Sequence, residues 1–144
     1  MMMNRTDTRQ FGNAHEKWGD ALSAGFQLVP DVLLKHQDRL GLTPVDLVVL
    51  LNVLMHWWFA DQLPFPKTAL IARRMGVGQR TVQRSLQRLE QRGLIERVKG
   101  QKPSDATRFD PPALARRLVP LAQRDPGYRE RTITTRQRSE LVES

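Results

Sequence analysis

The sequence predicts a mainly α-helical domain with a small β-hairpin, and two observations lead to this fold class. First, apolar residues recur at helical spacing in several separate segments, and each segment is bounded by a capping residue, a proline or a glycine. Second, two helical segments separated by Gly76 are followed directly by a strand-like run at residues 94–99. The 144 residues leave room for one compact core, so a single domain with tails is expected.

The N-terminal region begins with a polar stretch, residues 1–24, which lacks a sustained period and is expected to form a mobile arm with a helical tendency at residues 16–22. Residues 26–29 alternate loosely and are compatible with a short strand. A helix is then predicted at residues 31–40, with Gly41 as its stop. Its inward-facing side chains are expected to be Val32, Leu33 and Leu34.

The main core helix has a strongly specified start. Thr43 can cap it, Pro44 occupies the first helical position and Asp46 lies in the first turn. Its body, residues 47–59, is apolar on nearly all sides and should therefore be covered from several directions. Three interpretations stay open for its end: packing in the chain's own core, ligand stacking by the tryptophan pair, or a homodimer interface. The candidate interface residues are Leu54, Trp57 and Trp58.

Two short helices are predicted next, joined by a tight turn. The first covers residues 67–75 and ends at Gly76. The second opens near Gly78 and has an apolar stripe at i, i+4 and i+7, formed by Val82, Leu86 and Leu89. Its opposite face carries no acidic residue and is predicted to point outward with Arg80, Gln83, Arg84, Gln87 and Arg88.

The C-terminal region is predicted to contain a hairpin and one more helix. Residues 94–99 and 106–109 should pair as antiparallel strands. Asp110 can cap a final helix, which Pro120 should bend or end. The apolar stripe of this helix is Leu114, Leu118 and Leu121. The expected organisation is an N-terminal arm at 1–24, one domain at 25–122 and a disordered basic tail at 123–144.

Positive charge is concentrated around the helix pair. The formal net charge of the chain is +8, and residues 67–108 contain 11 basic and 3 acidic residues, so this segment alone matches the whole excess. Residues 1–66 have a net charge of −2 and residues 109–144 one of +2. A basic surface that coincides with such a helix pair indicates a partner that is a polyanion.

Several classes of function are excluded or disfavoured by composition. There is no cysteine, so disulfides and thiolate metal sites are excluded. The N-terminus lacks the apolar core of a signal peptide, and residues 45–60 are too short and too polar to span a bilayer, so a cytoplasmic, nucleoid-associated protein is expected. The histidines and carboxylates form no metal-ligand or catalytic pattern, so we expect no enzyme activity, no metal and no cofactor.

The motif of residues 71–77, 80–84, 86–89 and 93–95 resembles a winged helix-turn-helix domain of bacteria. The segment Gly25 to Pro30 and the triplet His56 to Trp58 make it similar, more narrowly, to helix-turn-helix proteins of bacterial chromosomes, plasmids and phages. The resemblance spans about residues 25–121. It implies that the second helix, residues 79–92, enters the major groove of DNA, and that the wing, residues 99–106, contacts the backbone or minor groove.

The resemblance implies a set of DNA-contacting residues. In the helix they are Gln79, Arg80, Thr81, Gln83 and Arg84, and in the wing they are Lys99, Gln101 and Lys102. From the residues themselves, Arg88 extends the outward series and Arg73 and Arg74 lie at the end of the preceding helix, where they can contact DNA or compensate the helix dipole. Gly78 departs from the serine common before this helix and is a weaker cap.

Two functional hypotheses follow. The first is a sequence-specific regulator of transcription that binds double-stranded DNA, as a homodimer on a two-fold operator. The second is a replication-initiation or DNA-maintenance protein of a plasmid, phage or other mobile element, with a protein partner bound through its tail. The motif is used in both classes, so the sequence does not choose between them.

Overall fold

The computed structural model describes residues 14–56, 67–98, 108–110 and 112–126. This part of the chain is mainly helical with one two-stranded antiparallel sheet, which confirms the predicted fold class at that level. A first helix, α1 (residues 14–18), runs into a 3-10 turn at Gly19–Ala24. The further elements are α2 (Asp31–Lys35), α3 (Pro44–Met55), α4 (Thr68–Met75), α5 (Gln79–Gln91), β1 (Glu96–Val98), β2 (Arg108–Asp110) and α6 (Pro112–Arg124).

The start of α3 is formed as its sequence predicts. Thr43 and Asp46 form a reciprocal capping box: the Asp46 backbone N–H donates to Thr43 Oγ1 at 3.1 Å, and the Thr43 N–H donates to Asp46 Oδ2 at 3.3 Å. Pro44 occupies the first turn, where its missing N–H costs no hydrogen bond. The helix ends at Met55, earlier than the predicted end at residue 59, because His56 is a turn residue whose N–H donates to the Val53 carbonyl at 3.1 Å. Residues 57–59 of the predicted helical body lie outside the described residues.

The helix pair has the predicted turn. Helix α4 ends at Gly76, which has φ +68° in the left-handed region that glycine adopts without a Cβ clash. The Val77 N–H donates to the Ala72 carbonyl at 3.1 Å and closes the turn. Helix α5 packs against both α3 and α4. Its position is thereby fixed from two sides.

The core joins all four longer helices. Buried residues of α3 meet the inner stripe of α5, and Leu114 and Leu118 bring α6 onto the same cluster. Each such side chain contributes roughly 1.5–3 kcal/mol by leaving water. The fully buried aliphatic side chains are Leu33, Val49, Leu50, Val53, Ile71, Val82, Leu89, Leu94 and Ile95.

The N-terminal region differs from its prediction in three ways. Residues 26–29 form no strand, and α2 ends at Lys35 because residues 36–41 continue as turns, with the Leu40 N–H donating to the His36 carbonyl at 2.9 Å. Leu34, which was expected to face inward, is 53% exposed. A helix of five residues can bury only one narrow stripe, and Val32 and Leu33 fill it.

The C-terminal region follows its prediction with two shifts. Strands β1 and β2 pair antiparallel, with Arg97 opposite Phe109, but Leu94 and Ile95 precede the strand and are buried in the core. Helix α6 does not end at Pro120 and continues to Arg124. Pro120 and Arg116 are both exposed, so water can reach the carbonyl that the proline leaves without its helical donor.

Candidate nucleic-acid interface

The outer face of α5 carries exposed arginine and glutamine side chains. The inner stripe of this helix, Val82, Ser85, Leu86 and Leu89, is buried against α3 and α4. The opposite face projects into solvent, as the sequence predicts. The exposed side chains on it include Arg80, Thr81, Gln83, Arg84 and Gln87.

Arg80 and Arg84 lie one helical turn apart on this face. Among the described residues, no carboxylate lies within ion-pair distance of either guanidinium. Like charges at i, i+4 repel each other by a few tenths of a kcal/mol, and Arg80 also lies in the first turn, at the positive end of the helix dipole. The pair is therefore unfavourable for folding and favourable for an anionic ligand.

Arg88, which the sequence predicts to point outward with Arg80 and Arg84, is only partly exposed. Its guanidinium turns toward the start of α3 and forms an ion pair with Asp46, with 2.7 Å between Nη2 and Oδ1. Arg88 Nε also donates to the same carboxylate, at 3.1 Å to Oδ1 and 3.4 Å to Oδ2. The Arg88 side chain remains 38% exposed, whereas that of Asp46 is only 1% exposed.

Asp46 is the centre of a polar cluster under α5. Ser85 Oγ donates to Asp46 Oδ1 at 2.7 Å, and the Thr43 backbone N–H donates to Oδ2. Burial acts to raise the pKa of Asp46, but the hydrogen bonds from Arg88, Ser85 and Thr43 together outweigh it and hold the pKa below its usual range. Asp46 is therefore an ionised carboxylate inside the protein, with its charge compensated by Arg88.

Gln79, at the first position of α5, is held by the preceding helix. Its Nε2 donates to Thr68 Oγ1 at 2.8 Å, so the first residues of α4 and α5 are joined by a side-chain hydrogen bond. The side chain is exposed and its carbonyl oxygen remains open to a ligand within the described surroundings. Gln79 thus lies at the edge of the basic face.

Arg73 and Arg74 end α4 and point in different directions. Arg74 Nη1 lies 3.7 Å from Met55 Sδ and 3.5 Å from His56 Nε2, so its side chain covers the end of α3. Arg73 is exposed. Both cations lie in the last turn of α4, where they interact favourably with the helix dipole.

The remaining predicted site residues are only partly covered by the structure. Lys99, Gln101 and Lys102 of the wing, and Trp57 and Trp58 of the candidate dimer interface, lie outside the described residues. Leu54 is half-buried and packs against the chain's own core. Leu54 and Met55 also line a mainly apolar cleft of about 400 Å³, together with residues of the 26–33 segment and of α6.

The contact between Asp46 and Ser85 was not predicted from the sequence. Each has a polar side chain at a position where the helix faces the core, and this mismatch is the signal that could have revealed them. The described ranges contain no group of three or more histidine and acidic residues placed to hold a metal ion. They also contain no helix with the length and apolarity needed to cross a bilayer.

Comparison with known proteins gives a family match, and the similar solved structures include the following two. The model of the DnaD N-terminal domain matches residues 29–118. The N-terminal domain of the DnaD protein from Geobacillus kaustophilus HTA426 is 26% identical, with 84% of this chain and 96% of that chain covered and a TM-score of 0.48. The transcriptional regulator PA3341 is 21% identical, with 93% and 99% covered and a TM-score of 0.36. No curated protein matches.

Proposed function

The chain belongs to the DnaD N-terminal domain family, and from this premise we propose that it binds double-stranded DNA and acts in the replication or maintenance of a DNA element. The family is connected with replication, which favours this role over transcription control. In the proposed complex, α5 lies in the major groove. The observation that carries DNA binding is the exposed basic face of α5, with Arg80 and Arg84 uncompensated among the described residues.

The chemistry of this face suits DNA. Arginine can donate two hydrogen bonds to a guanine edge or bind a phosphate, and glutamine can pair with an adenine edge. Arg80, Gln83 and Arg84 are exposed on one side of α5. The diameter of an α-helix, about 10–12 Å with its side chains, fits the major groove, which is about 12 Å wide. Thr81 lies on the flank of the same face. Gln79, Arg73 and Arg74 border it and are proposed as peripheral contacts.

The order of elements supports a winged helix-turn-helix as the binding unit. A helix pair with a glycine turn is followed by an antiparallel pair of strands, and the segment between the strands contains the predicted wing. Lys99, Gln101 and Lys102 of that segment are proposed to contact the DNA backbone or the minor groove. The net charge of +8 on residues 67–108 would attract the duplex to this side of the molecule.

Fluorescence anisotropy with labelled duplex DNA tests the proposed interface. Arg80→Ala and Arg84→Ala should each weaken binding. Each should also reduce the magnitude of the negative slope of log K against log salt by about 0.9, the value for one lost phosphate contact. Arg116→Ala is the matched control, because Arg116 is an exposed arginine on α6 and should leave the slope unchanged. Lack of duplex binding by the wild-type protein, or equal losses in all three variants, would contradict the proposal.

Mapping the bound sites in the native host distinguishes the two proposed roles. A replication or maintenance protein should occupy a cluster of repeats at an origin. A regulator of transcription should occupy promoters, and this outcome would overturn the role proposed above while leaving DNA binding intact.

A homodimer is proposed as the state that binds DNA, with Leu54, Trp57 and Trp58 at the interface. The support is the apolar cleft at the end of α3, next to the exposed side chains of Phe26, Leu28 and Met55. Trp58→Asp should give folded monomers in sedimentation velocity. A wild-type protein that sediments as a monomer at working concentration would exclude the dimer.

We propose that the protein has no catalytic activity of its own and that its tail binds a protein partner.

A further inference from the structure

We infer that Arg88 does not contribute to the DNA-binding charge, and that Asp46 is a positioning residue that neutralises Arg88 and fixes the rotation of α5 about its axis. This inference rests on the proposed function, because it divides the arginines of the proposed DNA-binding helix into two kinds. Arg80 and Arg84 are available to phosphates or bases. Arg88 is held by the protein itself.

The helical period separates these arginines. Four residues turn an α-helix by about 40° beyond one full turn, so Arg88 is rotated by about 80° from Arg80. That rotation moves Arg88 from the centre of the solvent face to the flank where α3 lies. Ser85 lies further around the same flank and is buried. Identical side chains at i, i+4 and i+8 therefore meet different surroundings.

Asp46 accepts hydrogen bonds from two residues of α5, Ser85 and Arg88, which lie about one turn apart. Its Oδ1 accepts from Ser85 Oγ at 2.7 Å and from Arg88 Nη2 at 2.7 Å. Rotation of α5 in either direction would lengthen at least one of these bonds. The carboxylate itself is fixed by the capping box with Thr43. These contacts therefore fix the orientation of α5 relative to the start of α3.

The same contacts remove the charge of Arg88 from the interface. Asp46 is buried and ionised, and its negative charge lies within hydrogen-bond distance of the guanidinium of Arg88, whose side chain is 38% exposed. Because one partner is buried, water screens this attraction less than it screens a fully exposed ion pair. A cation that is already paired with Asp46 neutralises no phosphate, so it displaces none of the counterions condensed on the DNA. Salt dependence should therefore report Arg80 and Arg84 but not Arg88.

The test is the slope of log K against log salt for duplex binding by the full chain. Arg84→Gln should reduce the magnitude of this negative slope by about 0.9, whereas Arg88→Gln should leave it unchanged. Asp46→Asn keeps the shape of the side chain and removes its charge, so Arg88 becomes an additional free cation. The magnitude of the slope should therefore increase by about 0.9. The double variant Asp46→Asn/Arg88→Gln should return to the wild-type slope.

The outcomes separate this inference from the proposed function. If the wild-type protein binds duplex DNA and Arg84→Gln and Arg88→Gln lower the slope equally, the neutralisation of Arg88 is wrong while DNA binding stands. If Arg84→Gln also has no effect, the proposed interface itself is wrong. An Asp46→Asn slope equal to that of the wild type would likewise overturn the inference.

A measurement without DNA tests the positioning role independently. In urea unfolding, the factors by which Asp46→Asn and Arg88→Gln reduce the folding equilibrium constant should be coupled, so that the double variant loses about tenfold less than their product. Arg88→Lys should recover part of the loss, because an ammonium can replace one of the guanidinium contacts. Independent, multiplicative effects of the two substitutions would contradict the direct pairing.

Discussion

The helices α3 and α5 begin in opposite ways. At the start of α3, Thr43 and Asp46 form a complete capping box and a carboxylate lies in the positive end of the helix dipole. At the start of α5, Gly78 makes no side-chain cap bond, and the first turn contains an arginine and no acid. The first arrangement stabilises a helix by itself, whereas the second leaves the helix dependent on its neighbours.

Helix α3 therefore contributes to stability, whereas α5 presents the proposed binding face. Helix α5 is held by its apolar stripe, by the Gln79–Thr68 hydrogen bond and by the Asp46 carboxylate that α3 provides. Its own N-terminal turn carries Arg80. An acidic residue in that turn would stabilise the helix but would also partly neutralise Arg80. A helix that must present positive charge can be stabilised from its buried side instead.

The largest expected effect comes from the residue that connects the two helices. Asp46→Ala removes the capping box, leaves Ser85 without its acceptor and leaves Arg88 unpaired, so the free energy of unfolding should fall by about 3–4 kcal/mol. Urea unfolding at neutral pH measures it. Asp38→Ala, at an exposed aspartate, should change it by less than about 0.5 kcal/mol. Similar losses in both variants would remove the special place of Asp46.

The second effect is a pH dependence that should belong to Asp46. The pKa of this carboxylate is lower in the folded chain than its ordinary value of 3.8, so its ionised form stabilises the fold above about pH 4. This contribution is lost as the pH falls through the lower folded-state pKa. The stability advantage of the wild type over Asp46→Asn should therefore be constant from pH 7 to about pH 5 and shrink below about pH 4.

Urea unfolding at a series of pH values checks this expectation. Asp38→Asn, at an exposed aspartate, is measured alongside as a substitution outside the hydrogen-bond network of Asp46. An Asp46→Asn difference that grew toward acid pH would mean that Asp46 is destabilised in the folded state, contrary to the hydrogen bonds that it accepts.

The smallest effects compare the two caps directly. Thr43→Ala should cost about 1 kcal/mol, because it removes the side-chain acceptor of the α3 cap. Gly78→Ser should instead stabilise by about 0.5 kcal/mol, since φ −71° and ψ 149° suit any residue and the space around the Cβ position is open. Gly78→Ala offers no acceptor and should not stabilise. Thermal unfolding of the three variants would show whether the caps differ as proposed.

Local signals were sufficient for much of the fold. The Thr43, Pro44 and Asp46 start of α3, the left-handed Gly76 and the i, i+4, i+7 stripe of α5 were all predicted, because each depends on residues within one or two turns. The end of α2 at Lys35 and the passage of α6 through Pro120 were not. Those boundaries depend on which side chains the core accepts and on whether water reaches a freed carbonyl.

The candidate interface divides in the same way. A basic helix after a glycine turn, with an apolar stripe that leaves Arg80, Gln83 and Arg84 outside, can be predicted from the local sequence. The ion pair of Arg88 depends on the tertiary structure, because the carboxylate that it contacts lies 42 residues earlier in the chain. Periodicity places a side chain on a helix face, but it carries no information about which charge a neighbouring helix brings to that face.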